Sequence, residues 1–177
     1  RQQTLYGKIA KKRVEYIIDV SSPNQIRVPP KICPNRGDMA EIFRVILEVS
    51  KRRKISSKIL NMGQTKFDNI IQTIRIMGLI NINREPLPPL FAFEDLTKIE
   101  QLARIALAFE KSDVGQAWIK WSGVKSIREI DVNSSKRFIR AVVPGIQKST
   151  ATQKSSNLKR ICKYLKKYFK IIFKYFF

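Results

Sequence analysis

The chain has 177 residues, with 35 Lys and Arg against 14 Asp and Glu, a formal net charge of +21, and no histidine. Without histidine there is no Ser-His-Asp or Cys-His catalysis, no imidazole metal ligand and no ordinary pH switch near neutrality. The two cysteines, Cys33 and Cys162, give neither a disulfide framework nor, lacking histidine partners, a structural zinc site, so a reducing, cytoplasmic setting is expected.

No apolar run reaches the length of a membrane span, and the N-terminus lacks the apolar core of a signal peptide. The chain opens on Arg1 rather than Met, which fits a fragment of a larger protein. Residues 1–36 carry 8 basic and 2 acidic side chains, residues 37–93 carry 9 and 5, and residues 94–131 carry 6 and 7. Residues 132–177 carry 12 basic side chains and no acid. Such asymmetry points to a polyanion, either nucleic acid or an anionic membrane surface. The abundance of Lys, Ile, Asn, Phe and Tyr also fits AT-rich coding DNA, which raises Lys without selection for binding.

Residues 1–36 read as an arm and a β-hairpin. Val14, Tyr16, Ile18 and Val20 share a strand face, Ser21 to Asn24 form a turn, and Gln25 to Val28 return. The spacing of Glu15 and Asp19 also suits a short helix. Residues 37–93 form the second unit. Asp38 caps a helix with Met39, Ile42, Phe43, Ile46 and Leu47 inward, and Lys51-Arg52-Arg53-Lys54 closes it with cations. Ser56 or Ser57 then caps a short helix carrying Ile59 and Leu60, and Asn61-Met62-Gly63 turns the chain. Gln64 and Thr65 open a helix with Phe67, Ile70, Ile71, Ile74 and Met77 on one face, closed by Gly78. Leu79 to Ile82 read as a short strand, Asn83 to Pro86 as a turn, and Leu87 to Phe93 as a Pro-interrupted extended return. Residues 94–131 are a helical connector that breaks at Ser122-Gly123. Residues 132–177 begin with a helix carrying Phe138, Ile139, Val142 and Val143. Pro144-Gly145 ends it, and Ser149 or Thr150 caps a long basic helix with an aromatic tail.

The stretch from Ile55 to Ile80 resembles the winged helix-turn-helix superfamily. The likeness rests on the short capped helix ending in Leu60, the Gly63 turn, the amphipathic helix after it, and the close Met77-Gly78-Leu79-Ile80. It implies a mainly α (α+β) fold with a small β-hairpin as the wing, followed by a helical C-terminal region. It also implies that the helix after the turn enters the DNA major groove. Opposite its apolar stripe stand Gln64, Thr65, Asn69 and Gln72, flanked by Lys66 and Thr73, and Arg84 is the single cation of the wing. These are amides, hydroxyls and cations of the kind that bond bases and phosphates. Asp68 beside them works against phosphate affinity.

A second stretch, Pro144 to Ile161, is similar to a helix-turn-helix-like segment following winged helices in some restriction and other defence-associated bacterial proteins. Ser149-Thr150 match its Ser-Thr pair, and Gln153-Lys154 stand where its arginines are. Ser155-Ser156-Asn157 replace its small triplet. Read from the residues alone, Ser149, Thr150, Thr152, Gln153, Lys154, Ser155 and Ser156, with Lys159 and Arg160 further on, make a helix start rich in short donors and positive charge, suited to phosphate. Plain capping and solvation account for the same hydroxyls equally well.

No Asp or Glu has Lys two residues later, so the acid-x-Lys triplet of a metal-dependent nuclease is missing, and the seven glycines form no phosphate-binding loop. No catalytic residue, metal or cofactor is expected, although a catalytic domain preceding Arg1 stays open. The expected function is a nucleic-acid-binding module, with duplex DNA preferred to RNA, as the recognition part of a restriction, defence or mobile-element protein. The alternative is a membrane-surface or oligomerisation module, with a protein partner or a second copy held by the C-terminal aromatic helix. There Ile161, Cys162, Leu165, Phe169, Ile172 and Phe176 form the apolar stripe, opposite Lys159, Lys163, Lys166, Lys170 and Lys174.

Overall fold

A computed structural model describes residues 26–51 and 54–176, with side chains through Phe169. Among the described residues, six α-helices carry the fold: α1 (Met39–Ser50), α2 (Gln64–Ile76), α3 (Lys98–Lys111), α4 (Asp113–Ser122), α5 (Ser135–Val142) and α6 (Lys148–Phe176). Their buried side chains form one continuous core from Ile26 to Phe169. The basic helix α6 runs through its centre and packs against α3, α5 and α1.

Three helix starts, those of α1, α3 and α4, have a side-chain cap. Asp38 accepts from the backbone N–H groups of Ala40 and Glu41 and so caps α1, as its position predicts. Thr97 and Glu100 form a reciprocal capping box at α3. Ser112 serves two helices, closing α3 and accepting from Gly115 N at the start of α4. Gly78 and Gly123 adopt φ of +73° and +68° where α2 and α4 stop, the conformation that glycine adopts without a Cβ penalty.

The predicted α+β winged fold is not what forms. Among the described residues there is no β-strand, and the wing reduces to one isolated antiparallel bridge between Ile80 and Pro86. The reason is local. Two backbone bonds flank the bridge, Asn81 N–H to the Glu85 carbonyl at 3.0 Å and Leu87 N–H to the Leu79 carbonyl at 2.9 Å. Asn81 Oδ1 closes the turn by accepting from the backbone N–H groups of Asn83 and Glu85, both at 2.9 Å. Pro86, Pro88 and Pro89 have no N–H to donate, and the chain turns into the 3-10 segments Pro88–Leu90 and Phe93–Asp95 instead of an extended return. The short helix expected after Ser56 is likewise a hydrogen-bonded turn ending at Asn61, which takes φ of +50°. So few residues cannot offset the cost of nucleating a helix. The strand expected over Val14 to Val20 lies outside the described residues. Of its predicted partner, Ile26 to Val28 are described and form no strand; the Val28 N–H donates to the Val142 carbonyl at 2.7 Å beside α5.

Two stripes differ in detail. In α1 the buried set is Met39, Ile42, Val45, Ile46 and Val49, while Phe43 and Leu47 are half-buried, so the inward face is turned from the predicted one. In α2 all five predicted residues, Phe67, Ile70, Ile71, Ile74 and Met77, are buried. The final helix begins at Lys148, so neither Ser149 nor Thr150 is its cap. Its apolar stripe Leu158, Ile161, Cys162, Leu165 and Phe169 is fully buried in the core.

Candidate nucleic-acid interface

The polar face of α2 is largely committed to the protein itself. Gln64 accepts from Ser57 Oγ at 2.7 Å and donates to Asp68 Oδ1 at 2.9 Å. Lys66 is paired with Glu41. Arg84 lies 3.9 Å from Asp68 and 5.5 Å from the centre of the Phe67 ring, so the wing's cation faces an acid and a ring. Thr73 is buried, donating to the Asn69 carbonyl at 2.9 Å and accepting from Arg36 N at 3.2 Å. Gln72 Nε2 donates to the Lys31 carbonyl at 3.1 Å. Thr65 and Asn69 alone of this predicted set keep side chains without a bond to another described residue.

What covers α2 is the segment Pro30–Gly37, which crosses from α2 to α6. Its far end is fixed by Lys154, whose Nζ donates to the Cys33 carbonyl at 3.2 Å and to Asn35 Oδ1 at 2.8 Å. Asn157 Nδ2 donates to the Pro34 carbonyl at 3.3 Å. Burial holds the Lys154 ammonium below its usual pKa and pushes the Cys33 thiol up to about 11. Lys154 therefore acts as a structural tie and leaves the predicted phosphate set. Its register carried the warning: it stands three residues after Ala151 and four before Leu158, on the inward side of the helix.

The outward side of α6 is different. Ser149, Thr152, Gln153, Ser156, Arg160, Lys163 and Lys167 are exposed, and at 100° per residue they fall within about 60° of one line along the helix. That line runs about 27 Å at 1.5 Å per residue. Thr152 donates to its own helix at the Lys148 carbonyl, and Thr150 and Lys159 are half-buried at the flanks. Lys148, Ser149, Thr152, Gln153, Ser156 and Asn157 line a shallow depression at the start of the helix. The nearest acid is Asp38, 4.0 Å from Arg160. On the adjoining α5, Lys136, Arg137 and Arg140 are also exposed.

Of the exposed cations named here, Lys136, Arg137, Arg140, Lys148, Lys163 and Lys167 were not among the predicted contacts. The 3.6-residue period counted outward from the Leu158 stripe finds Lys163 and Lys167, and the same period counted from Phe138 and Ile139 finds the three on α5. No protein-family profile, no curated protein and no solved structure matches the chain. No helix among the described residues is long and apolar enough to cross a membrane.

Proposed function

We propose that the chain binds nucleic acid, duplex DNA ahead of RNA, along the outer face of α6. The observation that carries this reading is the exposed line of hydroxyls, amides and cations from Ser149 to Lys167, in a stretch where no acid follows Asp131. Phosphate neutralisation by Arg160, Lys163 and Lys167 supplies affinity, and Ser149, Gln153 and Ser156 supply neutral donors. A helix fixed along its inner side from Ala151 to Phe169 by a core holds these groups in one register, which a flexible basic tail cannot do. Thr65 and Asn69 on α2 remain as a secondary contact. The rival membrane reading loses its apolar face between Leu158 and Phe169, because those side chains fill the core.

The test is fluorescence anisotropy of a labelled DNA duplex against rising salt, with an RNA duplex and anionic vesicles in parallel. A steep linear fall of log affinity with log salt supports the reading. Vesicle binding without duplex binding contradicts it.

A further inference from the structure

A groove of about 830 Å³ opens between the end of α1, the turn after it and the Asn83–Pro86 turn. Its floor is apolar: Val49, Ile55, Ile59, Pro86 and Phe91 line it. Ile59 and Phe91 are two of the five large apolar side chains most open to solvent among the described residues, at 64% and 47% exposure. Its rim is cationic. Lys54 and Arg84 stand on opposite sides, and Lys58, next to Ile59, is exposed. Neither Lys54 nor Lys58 forms an ion pair with another described residue. The single acid on the rim, Glu85, is held by Asn81 Nδ2 at 2.6 Å.

We propose that this groove docks an acidic amphipathic segment of a partner protein. An apolar anchor of that segment rests on Ile59 and Phe91, and its carboxylates face Lys54, Lys58 and Arg84. Charge complementarity selects this occupant, since Lys54 and Lys58 form no ion pair with another described residue and Glu85, the acid that lines the groove among the described residues, is already engaged. The floor selects a peptide over a nucleic-acid strand. Aliphatic side chains gain by covering apolar surface, whereas base stacking needs a series of aromatic platforms and Phe91 is the single ring there. An amphipathic helix laid in an apolar groove is a recurring mode of peptide recognition.

The probe is a labelled helical peptide with Leu and Phe on one face and Glu and Asp on the other, read by anisotropy. A version with Lys replacing every acid and a labelled single-stranded oligonucleotide serve as the other arms. The acidic peptide is expected to saturate the protein, and the basic version not to. Ile59→Ser, an uncharged change at an exposed site, is expected to weaken the acidic peptide about tenfold at unchanged thermal midpoint. Lys54→Gln is expected to weaken it several-fold, by less at high salt. Absence of saturable binding overturns the proposal, as does equal affinity in the wild type and Ile59→Ser. Oligonucleotide binding that falls in Ile59→Ser while peptide binding holds also overturns it, and assigns the groove to nucleic acid.

Discussion

Lys154 and Asn35 lie 119 residues apart in the chain, yet the lysine's Nζ sits 2.8 Å from the asparagine's Oδ1. This bond, with that to the Cys33 carbonyl, ties the segment before α1 to the central helix and draws it across the polar face of α2. A residue that sequence alone assigns to phosphate thus acts within the fold. Lys154→Met is expected to cost about 1–3 kcal/mol, because one buried and one half-buried acceptor lose their donor. Urea unfolding measures the loss. Duplex affinity should stay within about twofold, since no phosphate contact is removed. A large affinity loss at unchanged stability would return Lys154 to the interface.

Gln72 belongs to the same tie. Its Nε2 bond to the Lys31 carbonyl means that Gln72→Ala lowers stability by roughly 1 kcal/mol. Thr65→Ala, on the same helix with no such bond, should leave the melting temperature in place. Equal melting temperatures for the two variants would show that the segment does not lean on α2.

The glycines separate close approach from mere flexibility. A Cβ at Gly37 would meet Asn157 Cα at 2.7 Å, and one at Gly115 would meet the Phe109 carbonyl oxygen at 2.1 Å. Both obstacles are backbone atoms, so Gly37→Ala and Gly115→Ala should each cost about 1–3 kcal/mol or more. At Gly63 nothing lies within 4 Å and φ is −63°, so Gly63→Ala should fall within about 0.5 kcal/mol of wild type. Thermal melts of the three variants check the ranking.

Much of this architecture is legible from residues close in sequence. The α2 stripe, the Asp38 cap and the Gly78 and Gly123 stops all follow from neighbours within about one or two helical turns. The wing and the short helix after Ser56 differ from what alternation and capping residues predict, because local chemistry overrides a short pattern. Proline removes the donors that a hairpin needs, and Asn81 bonds the turn with its own side chain. The segment covering Gln72 and Thr73 was out of reach because its ties join residues more than a hundred positions apart. The α6 surface was within reach. The period of the Leu158 stripe, extended back one turn, places Lys154 on the inward side.

Alkaline pH tests the buried thiols. Burial raises Cys33 to about 11 and Cys162 to about 12, from 9.0 in the unfolded chain. The folded state therefore binds these protons more tightly, and the stability they contribute is present below pH 9 and lost as pH rises through 11 and 12. Lys154, with its ammonium held low by burial, works in the opposite direction near its unfolded value of 10.5. Cys33→Ala with Cys162→Ala should flatten the alkaline loss in urea melts. A thiol reagent at pH 8 should label neither cysteine until denaturant is added. Rapid labelling of the native protein would contradict the buried positions.

The most direct measurement of the α6 interface is the salt slope of duplex binding for two variants against wild type. Arg160→Gln, Lys163→Gln and Lys167→Gln together remove three exposed cations and touch no core residue. At about 0.9 per phosphate contact, the slope should fall by up to about 2.7, with affinity lowered on every sequence tested. Thr65→Ala with Asn69→Ala should leave that slope unchanged. A triple variant with the wild-type slope and a native melt, beside an α2 variant that loses binding, would contradict the account and return recognition to α2.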